Sequence, residues 1–172
     1  MFFQNTERSY LRMLAELILL AIAIFALGSL LVSAQDSRPG ARPGVQTVSD
    51  EEPLLRDYRG VTLGMAAADA RRKLGEPADK GDTQDFYQLS ETESVQIFYD
   101  AAGKVSAVSV HYFGAGAAPP TPQALFGTDA EPRADGSLYK LVKYARAGYW
   151  VSYNRTAGDE PIVTVSMKRD AP

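Results

Sequence analysis

Read for its apolar and polar positions, the chain falls into an apolar block, a polar stretch and a patterned remainder. The block, Leu17 to Val32, reads LILLAIAIFALGSLLV and carries no charge. The polar stretch, residues 35–57, is rich in Pro, Gly, Ser and acids and opens QDSRPGARPG. It holds too few large apolar residues to offset the entropy of ordering it and reads as a disordered Pro/Gly linker. From Tyr58 onward two periods recur. Ala67, Ala70 and Leu74 fall at helical spacing inside alanine-rich AAADARRKL, with Asp69 and Lys73 at i, i+4 on a wetter face. Leu74-Gly75-Glu76-Pro77 then forms a stop, because glycine tolerates a left-handed C′ position and proline forbids continuation.

The other period is two. Runs at 85–89, 94–99, 104–113, 138–145, 148–155 and 161–169 alternate and are enriched in β-branched and aromatic residues, the pattern of half-buried strands. Val95, Ile97 and Tyr99 share one face, as do Val108, Val110 and Tyr112, then Tyr149, Val151 and Tyr153, then Val163, Val165 and Met167. Turns with Gly or Pro separate them at Asp100–Gly103, Ala145–Gly148 and Ala157–Pro161, and such short connections join antiparallel neighbours. A second short helix is expected over Thr121 to Gly127. The expected fold class is α+β, with two repeated units, 58–113 and 121–169. Each is a short helix followed by three antiparallel strands, with the helices packed on one sheet face and 114–120 as the junction.

The apolar block changes the picture of location. Arg8 and Arg12 precede it, and Val32-Ser33-Ala34 offers small residues before Gln35, the layout of a signal peptide over 1–34. The alternative is an N-terminal membrane anchor through residues 11–32. A 16-residue run rises about 24 Å as a helix against a hydrocarbon core of roughly 30 Å, so Leu11 to Ala15 would have to extend it past Glu16. On either reading the remainder is extracytoplasmic, periplasmic or secreted, because the two arginines stay inside.

Composition removes several chemistries. The 172 residues carry a net charge of −3 and no basic run, so no nucleic-acid partner is expected. With no Cys there is no disulfide, thiolate nucleophile or lipidated cysteine. Gly60, Gly64 and Gly75 match neither a P-loop nor a dinucleotide fingerprint. No spaced ligand cluster suggests a metal, and no cofactor or catalytic residue is expected. His111 is the single histidine and has no Gly-x-Ser-x-Gly beside it. A hydrolase or ligand-binding reading through His111 and a nearby carboxylate predicts a deep pocket beside it. Asp82 with Asp85, and Asp159 with Glu160, are loop carboxylates expected to be solvated. The surplus is aromatic: Tyr139, Tyr144, Tyr149, Trp150 and Tyr153 crowd the second unit, and Trp150 cannot share a face with Tyr149 and Tyr153. Tyr144, Trp150 and Tyr153 are the candidate partner-binding residues.

GVTLGMAAADARRKLGEP (60–77) followed by QIFYDAAGKVSAV (96–108) resembles the SmpA/OmlA (BamE-like) envelope proteins and the related β-lactamase inhibitory protein fold. The likeness rests on Gly60-Val61 leading to Leu63-Gly64-Met65, on the Leu74-Gly75-x-Pro77 stop, and on Asp100-x-x-Gly103-Lys104-Val105 at a hairpin. It covers about 58–113, with Leu125-Phe126-Gly127 as a degenerate second stop. The resemblance implies a helix pair on an antiparallel sheet, an extracytoplasmic location and non-enzymatic binding of another envelope or secreted protein. The family's lipoproteins carry a lipidated cysteine after the signal, and this chain has none.

Overall fold

A computed structural model describes residues 46–170, which belong to one compact unit, Arg42–Pro172. The expected export signal or anchor over 1–34, and residues 35–45 of the expected linker, lie outside the described residues. No helix among the described residues is long and apolar enough to cross a membrane.

The strands are β1 (Gln46–Ser49), β2 (Asp79–Lys80), β3 (Gln84–Gln88), β4 (Glu93–Tyr99), β5 (Val105–Tyr112), β6 (Leu138–Tyr144), β7 (Tyr149–Arg155) and β8 (Val163–Arg169). The helices are α1 (Ala67–Leu74) and α2 (Pro122–Phe126). All eight strands join one sheet in the order β1-β6-β7-β8-β5-β4-β3-β2, antiparallel except for the parallel β1–β6 pair.

This corrects the expected fold class. The protein is mostly β: one mixed sheet with two helices of eight and five residues, in place of two helix-plus-three-strand units. The six alternating runs do become strands, but alternation fixes only the face on which a side chain lies. Which strands become neighbours is decided by packing. Here β5 pairs with β8 from Ala107↔Lys168 to Tyr112↔Val163, so the apolar rows of both halves fuse into one layer. The stretch expected to be linker also departs from expectation at its end, since Gln46–Ser49 is β1 and Pro53 is buried.

One face of the sheet is covered. Val95, Ile97, Val108, Val110, Met167, Val151 and Val142 form its apolar floor, and Ala70 of α1, Val61, Leu55, Tyr58, Leu63 and Met65 pack on it. A second cluster joins Leu125 of α2 to Tyr153, Val163 and Val165. A bulge between Phe98 and Tyr99 in the β4–β5 pairing inserts Ser106, which lets Val105 and Val108 both point inward.

Backbone bonds hold α1 against the start of β5: Val105 N–H donates to Met65 O (2.8 Å), and Ala67 N–H to Gly103 O (2.9 Å). Its end departs from the expected left-handed cap, since Gly75 has φ 88° and ψ −160°, a region open essentially to glycine alone. Lys73 does not pair with Asp69; Arg72 does. The second helix is closed by ordinary chemistry, with Thr121 Oγ1 accepting from Ala124 N–H at 3.2 Å and Gly127 left-handed at φ 71°.

Candidate interaction face

The strands that place Val95, Ile97, Val108, Val110, Val165 and Met167 on the covered side place their alternate residues on the other. Registers align those residues into three rows. One runs Leu141, Ser152, Ser166, Ser109, Gln96, Phe86 from β6 to β3; the next runs Tyr139, Asn154, Thr164, His111, Ser94, Gln88. The third runs Lys143, Trp150, Lys168, Ala107, Phe98, Gln84. Both helices and the packed residues of 55–65 belong to the opposite side, and no helix among the described residues lies on this one.

The centre of this face is made of hydroxyls and amides. Ser109 Oγ lies 2.9 Å from Ser166 Oγ across the β5–β8 pair and 3.4 Å from His111 Nε2. His111 Nδ1 in turn lies 3.1 Å from Thr164 Oγ1. Burial holds the imidazole pKa below its ordinary value, and no charged group contributes. Charge sits at the margin, where Lys143 and Lys168 flank Trp150 in register, Lys143 Nζ reaches Asp170 Oδ2 at 3.3 Å, and the Arg133 guanidinium lies 4.9 Å from the centre of the Tyr139 ring. Trp150, Phe86 and Phe98 are half-buried there and along the neighbouring rows.

The structure separates the three aromatic residues expected to act together. Tyr144 and Tyr153 are 4% exposed and sit in the covered core, Tyr144 with its ring centroid 6.2 Å from that of Tyr149. Trp150 points to the other side. The reason lies in register: Tyr144 pairs with Tyr149 and Tyr153 with Val165, all facing the helices. Tyr149 is tied down by its hydroxyl, which donates to Leu55 O at 2.8 Å.

The expectation for Asp85 is also corrected. It is a fully buried residue of β3, under α1, and not a solvated loop carboxylate. Arg71 grips it with Nε to Oδ2 at 2.8 Å and Nη2 to Oδ1 at 3.0 Å. Tyr99 donates to Oδ2 at 2.6 Å, Tyr87 at 3.4 Å, and Gly81 N–H donates to Oδ1 at 3.2 Å. Burial pushes this carboxyl up, but the hydrogen bonds from Arg71, Tyr99 and Gly81 together with the Arg71 charge outweigh it and hold the pKa low. Burial and then the Asp85 charge push the Tyr87 phenol up to about 12. With every oxygen occupied, this cluster is a structural lock and offers no free acid or base.

A cavity of about 40 Å³ lies on the covered side between Leu55, Tyr58, Val108, Val110, Tyr112, Pro120, Leu125, Val165 and Met167. His111 does not line it. Among the described residues no three His, Asp or Glu side chains come together as a metal site. Ser94, Gln96, Ser109, Ser152, Thr164 and Ser166 were not singled out from sequence. Their signal lies in the same alternation read in its other phase, which in these strands is filled with small uncharged polar residues. Comparisons with protein-family models, with curated proteins and with solved structures find no match.

Proposed function

We propose that this is an exported, non-enzymatic protein-binding or envelope scaffolding protein whose partner, another envelope or secreted protein, docks on the sheet face opposite α1 and α2. The observation that carries the reading is the composition of that face. Strands that face solvent ordinarily carry Lys, Glu and other charges, whereas on this face β4, β5, β8 and β7 present Ser, Thr, Asn, Gln, His and two aromatics with Lys168 as their one permanent charge, and Ser94, Gln96 and Ser152 at its centre are only 1%, 5% and 6% exposed. Charge-poor centres with aromatic anchors and a charged margin are the anatomy of protein contact surfaces.

Among the candidates from sequence, Trp150 keeps its place in this proposal. Tyr144 and Tyr153 act through the core. Export rests on the Arg8, Arg12 and Leu17–Val32 pattern, and so does attachment to the membrane through 11–32 if the segment is retained. A photo-crosslinking residue at Ser166 in the native envelope should trap a defined partner that the same residue at Arg72, on the helix side, does not. Trp150→Ala should then lower the yield severalfold while leaving the fold intact. Equal trapping from both positions, or a yield untouched by Trp150→Ala, removes the assignment.

A further inference from the structure

Between Pro53 and Val61, both buried, the chain runs along the covered side as a loop, 54–60. Among the described residues its backbone bonds to no strand backbone. Tyr58 N–H donates to Val61 O at 3.0 Å, Val61 N–H returns to Tyr58 O at 2.8 Å, and Asp57 Oδ1 accepts from Gly60 N–H at 2.8 Å. Side chains anchor the loop to the sheet in two places. Tyr149 Oη donates to Leu55 O at 2.8 Å, while Glu93 accepts from Tyr58 Oη at 2.9 Å and from Arg59 Nη2 at 2.6 Å. Leu55 and Tyr58, half-buried, face Val108, Val110, Val165 and Met167 of the sheet across the cavity of about 40 Å³.

The loop reverses at Arg59-Gly60, with φ 50° and 79°, in a turn of the kind that favours Asn-Gly. Arg59 is the one residue other than glycine at positive φ among the described residues, a strained position for a long side chain. What arginine supplies there is its guanidinium, which grips Glu93 and lies 5.6 Å from the centre of the Tyr58 ring. We infer that 54–60 is a lid, latched by Arg59 and Tyr58 on Glu93, which opens locally and bares Val108, Val110, Val165 and Met167 while the sheet stays paired. Opening relaxes the strained turn, breaks no strand ladder and lifts Leu55 and Tyr58 from a space they do not fill. The latch itself is weak, since its ion pair is 53% exposed at Arg59 and 17% at Glu93. This device lies on the helix side and is independent of what docks on the opposite face.

The chain has no cysteine, so single engineered thiols report opening without background. In the full chain in detergent, iodoacetamide should label the Val108→Cys thiol, under the lid, faster than the Val105→Cys thiol, each rate taken relative to the same thiol in urea. Val105 is as fully buried as Val108 but lies at the start of α1, where its N–H bonds to Met65 O, and does not line the cavity. Val165→Cys is a second reporter under the lid if Val108→Cys does not fold. Glu93→Gln, which ends the ion pair with Arg59, should speed labelling under the lid about fivefold and leave Val105→Cys unchanged. Tyr149→Phe should act in the same direction through the other anchor. Equal labelling of lid and control thiols, meaning exposure by global unfolding alone, overturns the inference. So does an acceleration by Glu93→Gln of the same size at both, which would make Glu93 a general stabilising residue and no latch.

Discussion

On the covered face, β4, β5, β8 and β7 present Val95, Ile97, Val108, Val110, Val165, Met167, Val151 and Tyr153; on the reverse, the same strands present Ser94, Gln96, Ser109, His111, Ser166, Thr164, Ser152 and Asn154. The backbone and its hydrogen bonds are common to both, so everything that distinguishes the faces comes from side chains set two residues apart. One face draws stability from apolar burial and a locked carboxylate. The other arrays hydrogen-bonding groups across four strands with little charge, Ser94, Gln96 and Ser152 buried among them and Ser109, Ser166, His111 and Thr164 bonded to one another. A partner-binding role and a core role are therefore assigned by parity along a strand, and neighbours in sequence take opposite roles.

The sharpest way to break this contrast is to truncate one aromatic from each face of β7. Tyr153→Ala empties a core position and should cost about 3–5 kcal/mol, measured by urea unfolding. Trp150→Ala should cost about 1 kcal/mol or less, because its side chain is half-buried on the face opposite α1 and α2. Equal losses would mean that the two faces are equally packed and would remove the distinction on which the proposed docking face rests.

The carboxylate lock comes next. Asp85→Ala leaves the Arg71 guanidinium and the Tyr87 and Tyr99 hydroxyls without their shared acceptor, and should cost about 3 kcal/mol. The acid dependence follows from the depressed pKa. The unfolded chain takes up a proton near the ordinary carboxylate value of about 3.9, above the pKa of the folded state. The stabilisation is thus present in full above that value and is lost as pH falls through the folded pKa. Unfolding midpoints of wild type and Asp85→Asn measured from pH 6 downward should converge; parallel curves would show that Asp85 is not charged in the fold.

These cases show what the sequence could and could not supply. Alternation identified the six long strands and, through Tyr149, Val151 and Tyr153 against Trp150, that the aromatics must divide between two faces. It was silent on strand neighbours, so the β5–β8 pair that merges the halves had no local signal, and the two repeated units expected from it do not describe the sheet. Asp85 looked like a loop residue because its partner Arg71 lies 14 positions away on α1, and a charge pair of that span has no periodicity to read. Gln46–Ser49 was hidden by its Pro- and Gly-rich surroundings and by lying against β6, a partner far along the chain.

A smaller effect tests the packing of the covered face itself. The cavity of about 40 Å³ beneath Leu55 and Tyr58 is bordered by Val110 and could accept one more methylene. Val110→Ile should leave stability unchanged or raise it by up to about 0.8 kcal/mol, the transfer value of one CH₂. A loss of 1 kcal/mol or more would mean that the surrounding side chains already close the space, and that overpacking dominates.

The smallest expected effect lies on the other face, at His111. Burial lowers its pKa in the fold, so near the ordinary value of about 6.5 the unfolded chain binds a proton before the folded one does. Stability should be at its plateau above that pH and decline as pH falls through the lower folded pKa. His111→Gln keeps hydrogen-bonding capacity towards Thr164 and Ser109 without a titrating ring, so its stability should be flat across the same interval. The decline should be shallow, because Thr164 Oγ1 and Ser109 Oγ can both turn to accept from an imidazolium. A steep acid transition abolished by His111→Gln would show instead that the hydroxyl row cannot accommodate the charge, and would make this face as tightly determined as the core opposite.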